Sequence, residues 1–128
     1  MAKQAMEAAI AKYFENMTAM NSQGWLEIFA ENALVFDPVG KMPVRVHQDS
    51  DNFFRMLSSF LDSMAIAKDN LFICGNEAAV KWTMTAIAKN GRQATAEGVS
   101  TFIFNKDGKI QKVSSYWDDA AAIAQLKG

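Results

Sequence analysis

Ala33-Leu34-Val35-Phe36-Asp37-Pro38-Val39-Gly40 sets a carboxylate at the end of an apolar run. Ala33 to Phe36 reads as a strand. Pro38 then removes a backbone donor and Gly40 allows a turn, so the strand stops just after the acid. Side chains alternate along a strand, which puts Asp37 on the same side as Val35 and Ala33. One negative charge is thereby held against an apolar face. Taken locally, Asp37 opens a turn, as aspartate often does before proline. Taken with the rest of the chain, it is a candidate base.

Before this stretch, Met6, Ala9, Ile10, Tyr13, Phe14, Met17 and Met20 recur at the spacing of one helix face. Tyr13 lies in the middle of that face. Asn21 to Gly24 interrupts the pattern, and Ser22 is placed to cap a second, short helix through about Ala30. Glu31-Asn32 then turns the chain into the strand ending at Asp37.

After it, Lys41 to Gln48 reads as irregular and carries the only histidine, His47. Asp49-Ser50-Asp51 supplies capping groups and negative charge for a third helix to about Met64. Its apolar set is Phe53, Phe54, Met56, Leu57, Phe60, Leu61 and Met64. Beyond Asn70 the period changes from 3.6 to 2. Leu71 to Cys74 is a short strand, and Val80, Trp82, Met84 and Ala86 share one face of the next. Asn90-Gly91 marks a hairpin. Arg92 to Phe104 follows, with Ala94, Ala96, Gly98, Ser100, Phe102 and Phe104 on one face, and Gly98 predicts a bulge or bend. Asp107-Gly108 marks another hairpin. Ile110 to Trp117 is the last strand, and a short helix capped by Asp118 or Asp119 closes the chain.

The expected architecture is one α+β domain over residues 1–128: a cone-shaped, curved, mostly antiparallel sheet packed against three helices. Pockets form at the mouths of such cones. With 13 basic and 14 acidic residues and no block of either sign, the chain carries no electrostatic footprint for nucleic acid or an anionic membrane. A single cysteine, Cys74, excludes an intrachain disulfide and fits a reducing compartment. One histidine with one cysteine cannot build a zinc site. No run approaches the roughly 20 apolar residues of a membrane span, and the N-terminus lacks a secretory apolar region. The expectation is a cytoplasmic protein with no metal and no cofactor.

The segment Ala30 to Gly40 resembles the acid-Pro-Val-Gly segment of ketosteroid isomerases, in the nuclear transport factor 2-like superfamily that also holds the SnoaL-like proteins. Asn76-Glu77-Ala78-Ala79 and Phe102-Ile103-Phe104-Asn105 with Gly108-Lys109 align as well. The separation of Tyr13 from Asp37 matches that of the family's oxyanion tyrosine and base aspartate. The resemblance spans nearly the whole chain and implies a cystatin-like fold and a homodimer. It also implies steroid delta-isomerase-like proton transfer on a small apolar carbonyl compound, with Asp37 as base and Tyr13 as oxyanion donor. Allylic proton transfer needs such a pair: a group that removes and returns the proton, and donors that hold the developing enolate oxygen.

Strand parity and the resemblance together make Phe54, Trp82, Met84, Phe102 and Trp117 the walls of an apolar slot. The chain departs from the isomerase pattern at Ser100, which stands where those enzymes carry a protonated aspartic acid as second oxyanion donor. Lys41 to Gln48 is also a few residues longer than its counterpart. Two other functions fit the same fold: a SnoaL-like cyclase or dehydratase, and a small-ligand-binding or dimerisation module without catalysis. For dimerisation, the face bearing Lys81, Thr83, Thr85, Ile87, Thr95, Val99, Thr101, Ile103 and Tyr116 is the expected outside of the sheet. It has few charges for a solvated surface.

Overall fold

The computed structural model describes residues 2–127. Helix α1 (Lys3–Thr18) buries Met6, Ile10, Tyr13, Phe14 and Met17, the face expected from the spacing. Helix α2 (Ser22–Leu26) is capped by Asn21 rather than Ser22, because the Asn21 side chain accepts from the Gly24 amide at 3.1 Å. It ends at Leu26, short of the expected Ala30. Phe29 and Ala30 already belong to strand β1 (Phe29–Phe36), because Phe29 pairs with Ile110. Glu31 and Asn32 sit in the irregularity between the Phe29 and Leu34 pairings.

The segment after Gly40 is more ordered than expected. Strand β2 (Val44–Arg45) pairs antiparallel with β1, and helix α3 (Val46–Phe60) starts before Asp49. Asp49 stabilises the helix start from inside its first turn. Its carboxylate accepts from the Arg45 amide at 2.9 Å and from the Arg45 guanidinium at 3.1 Å. His47, expected in a loop, therefore lies in the first turn, with its Nε2 3.3 Å from the Phe29 carbonyl oxygen.

Helix α3 also ends earlier than expected. Leu61 and Met64 belong to strand β3 (Leu61–Cys74), which pairs with strand β4 (Glu77–Ala88) from Leu61↔Ala88 to Cys74↔Glu77. Ala65 and Ala67 favour a helix locally, but the backbone groups of β4 offer them a full ladder, and pairing overrides propensity. Strand β5 (Gln93–Phe104) follows the Asn90-Gly91 turn, and strand β6 (Ile110–Tyr116) follows Asp107-Gly108. Helix α4 (Asp119–Lys127) is capped by Asp118, whose carboxylate accepts from the Ala121 amide at 3.0 Å.

The six strands run in the order β2-β1-β6-β5-β4-β3, antiparallel except where β1 lies parallel to β6. Val80, Trp82, Ser100, Phe102 and Val113 on the inner face are all buried, as period 2 requires. Helix α4 is tied to the far end of β5: Asn90 donates to the Leu126 carbonyl, and the Arg92 guanidinium to that of Gln125. The bulge expected at Gly98 is absent, and pairing runs unbroken from Glu77↔Ile103 to Ile87↔Gln93. Gly98 serves another purpose. A Cβ there would lie 2.6 Å from the Trp82 ring and 2.8 Å from the Trp117 Cβ, so only glycine lets both indoles close over the strand.

Candidate functional site

Two apolar clusters form inside the sheet. The larger joins α1, α2, β1 and the Trp82 half of the meander; the smaller gathers Leu61, Ala86, Ala88, Ala94, Ala122 and Leu126. Leu57, Met64, Met84 and Trp117 border both clusters, and all four line a cavity of about 180 Å³.

Asp37, Tyr13 and Ser100 line this one cavity, together with Trp82, Met84 and Trp117. Phe54 and Phe102, expected as slot residues, do not line it. Phe102 is fully buried behind Tyr13, their rings edge-to-face with centroids 5.1 Å apart. Phe54 packs on Trp25 and Phe53 at 5.1 and 5.2 Å. Parity placed Phe102 on the inner face of β5, but Tyr13 packs over it; Phe54, on helix α3, turns to the aromatic cluster around Trp25.

The parallel pairing of β1 with β6 positions Asp37. Phe36 lies beside Ser114, and the Val39 amide donates to the Ser115 carbonyl at 2.9 Å. The loop holding Asp37, which begins with a cis Asp37–Pro38 bond, thus lies against the end of β6. There the Trp117 indole donates to Asp37 Oδ1 at 2.6 Å. Burial pushes the Asp37 carboxyl above the usual aspartate range. The Trp117 hydrogen bond opposes that rise, and the charge of Asp119 adds to it. Asp119 also lines the cavity and is paired with Lys41. Sequence parity could have found Ser115 and Trp117 together, since they share a face with Val113. Asp119 read only as a helix cap, and nothing local ties Lys41 to it.

Tyr13 sits on the buried face of α1, its ring among Phe14, Trp25, Phe29 and Phe102. Burial raises its phenol well above the usual value, and the nearby Asp37 charge raises it further, so it stays protonated. Among the described residues the only sealed, unpartnered side-chain polar atom is Trp25 Nε1. Among the described residues the Tyr13 hydroxyl has no hydrogen-bond partner, and it is not among the sealed atoms, so it keeps access to the cavity. Ser100 is 1% exposed. It accepts from the Trp82 indole at 2.9 Å, and its oxygen lies 2.7 Å from that of Ser115, its cross-strand partner. The cavity thus offers a carboxylate of raised pKa, a second carboxylate paired with Lys41, and neutral hydroxyls in walls that are otherwise largely apolar. That arrangement suits moving a proton on a bound molecule while holding its oxygen. Among the described residues, no three His, Cys, Asp or Glu side chains are grouped to hold a metal ion. No helix among them is long and apolar enough to cross a membrane.

A profile of the SnoaL-like domain matches residues 10–113. The chain belongs to the SnoaL-like domain family. The matched span takes in Tyr13, Asp37 and Ser100 and stops before Ser115 and Trp117. A search of curated proteins finds no match. Among solved structures, a nuclear transport factor 2-like protein of unknown function from Burkholderia pseudomallei is 21% identical over 100% of both chains, with a TM-score of 0.86. The Δ5-3-ketosteroid isomerase from Mycobacterium sp. is 21% identical over 91% of this chain and 95% of its own, with a TM-score of 0.74. SalBIII, an epoxide hydrolase/cyclase-like enzyme of pyran ring formation in salinomycin, is 22% identical over 93% of this chain and 95% of its own, at 0.79. At such identities the likeness is one of fold. This SnoaL-like chain has the α+β fold of the nuclear transport factor 2-like superfamily, with a curved, unclosed, mixed sheet.

Proposed function

We propose that the protein is a cofactor-independent, ketosteroid isomerase-like enzyme that transfers a proton on a small, largely apolar carbonyl compound. Asp37 removes and returns the proton, and Tyr13 donates to the developing enolate oxygen. The observation that carries this reading is the pairing of Asp37 with Tyr13 in one cavity. The carboxylate is held by the Trp117 indole, and the neighbouring phenol has no partner of its own among the described residues. A raised pKa brings the base nearer to neutrality, where it both accepts and releases a proton well. Ser100 stands at the second oxyanion position. It is a weaker donor than a neutral carboxylic acid, and loss of one such donor typically costs about 10²–10³ in rate.

Cavity size narrows the substrate. A cavity of about 150 Å³ accepts benzene, so about 180 Å³ takes a compound of one or two rings inside the walls. A four-ring steroid would project beyond the walls, and the exposed Met56, Phe60 and Ile123 among the lining residues are the apolar surface it would meet there.

The test is solvent deuterium uptake by a panel of monocyclic and bicyclic enones and ketones. The wild type should catalyse exchange at the α-carbon of at least one compound. Asp37→Asn should abolish that exchange while remaining folded. Tyr13→Phe should slow it by about two orders of magnitude, the typical cost of one oxyanion donor. Exchange absent in the wild type, or equally fast in Asp37→Asn, means that Asp37 is not a base and the domain binds its ligand without catalysis.

A further inference from the structure

The serine pair in the cavity wall has one more proton than the protein uses. Trp82 Nε1, Ser100 Oγ and Ser115 Oγ carry one proton each, and only two hydrogen bonds link them, at 2.9 and 2.7 Å. Neither serine hydroxyl has another partner among the described residues. Both are nearly sealed, with Ser100 at 1% and Ser115 at 2% exposure, and both face the cavity. The remaining proton can only point there.

Two arrangements are open to the pair. In one, Ser115 donates to Ser100, whose lone pairs are then filled by Trp82 and Ser115. Ser100 directs its proton into the cavity, and Ser115 offers only lone pairs. In the other, Ser100 donates to Ser115, which directs its proton outward while Ser100 keeps one free lone pair. Either way the cavity meets one donor and one acceptor side by side, and a ligand selects which is which. A lone serine would carry both roles on one oxygen; the pair sets them on two oxygens 2.7 Å apart. The spacing is imposed by the direct cross-strand pairing Ser100↔Ser115.

We infer that the Ser100–Ser115 pair recognises a ligand with oxygens on two adjacent carbons, one accepting and one donating, as in a catechol, an α-hydroxy ketone or an enediol. Oxygens so placed stand about as far apart as the two serine oxygens, so each meets its own hydroxyl. This rests on the cavity being the ligand site proposed above, but not on Asp37 acting as a base. It makes Ser115 a specificity-determining residue and narrows the carbonyl substrate to one hydroxylated at the neighbouring carbon.

Calorimetric titration with phenol, catechol and resorcinol tests it. The wild type should bind catechol several-fold to about tenfold more tightly than phenol, as one added hydrogen bond allows. Resorcinol, with its oxygens one carbon further apart, should show no such gain. Ser115→Ala should erase the catechol advantage and leave phenol affinity within about twofold; Ser100→Ala serves as the second variant if Ser115→Ala does not fold. Asp37→Asn should keep the advantage. A catechol preference that survives Ser115→Ala but vanishes in Asp37→Asn belongs to the carboxylate and overturns the proposal, as does equal binding of all three phenols. Deuterium exchange is read separately. A serine-dependent catechol preference without exchange sinks the base, not the serine pair.

Discussion

Replacing Trp117 with phenylalanine removes the one side-chain hydrogen bond that Asp37 receives among the described residues. The indole donates at 2.6 Å to the carboxylate, and the bond favours the charged form against burial and the charge of Asp119, which both favour the neutral one. Hydrogen bonds to charged groups contribute about 1.5–3 kcal/mol. Losing this one should raise the Asp37 pKa further, with water admitted by the smaller ring offsetting part of the rise. Asp119→Asn should act with the opposite sign. It removes a neighbouring negative charge and frees the Lys41 cation, and both favour ionised Asp37. Carboxyl carbon NMR titration, with Asp37→Asn assigning the resonance, measures both shifts without any substrate. A midpoint unchanged or lowered in Trp117→Phe would refute the claim that the indole holds the carboxylate in its charged form.

Asp37→Asn should stabilise the fold at neutral pH. Because the folded-state pKa is raised, the folded protein holds this proton more tightly than the unfolded chain does. Wild-type stability therefore falls as pH rises from the unfolded value, about 3.9, through the folded one. Melting curves should show the Asn variant ahead at pH 7 and level with the wild type near pH 3. Gly98→Ala should cost about 1–3 kcal/mol in denaturant unfolding, since the new methyl meets both tryptophans below 3.0 Å; an unchanged midpoint would show that the indoles are free to move. The outer sheet face, where exposed Val99 and Tyr116 pair across β5 and β6, should close a two-fold homodimer. Sedimentation at micromolar concentration should give twice the chain mass and Tyr116→Glu a monomer, whereas a monomeric wild type would refute it.

The sequence by itself determined the elements whose signals are local. The α1 face came from helical spacing, the hairpins at Asn90-Gly91 and Asp107-Gly108 from turn chemistry, and the inner faces of β4 and β5 from alternation. Pro38 and Gly40 signalled a strand end, which falls at Phe36, one residue before the acid rather than after it. What the chain could not reveal locally was decided by partners distant in sequence. Residues from Leu61 onward became strand rather than helix because β4 supplies a ladder that no window around Ala65 contains. Gly98 became a seat for two tryptophans rather than a bulge because Trp82 arrives from β4 and Trp117 from just beyond β6. At the site, parity chose the face for Trp82, Met84, Ser100 and Phe102, but only packing depth separated the cavity wall from the core behind it. The bonds of Asp37 to Trp117 and of Ser100 to Ser115 join residues 80 and 15 positions apart. They exist because β1 lies parallel to β6 and β5 pairs with β6, a register that a hydrophobic pattern constrains and only the assembled sheet fixes.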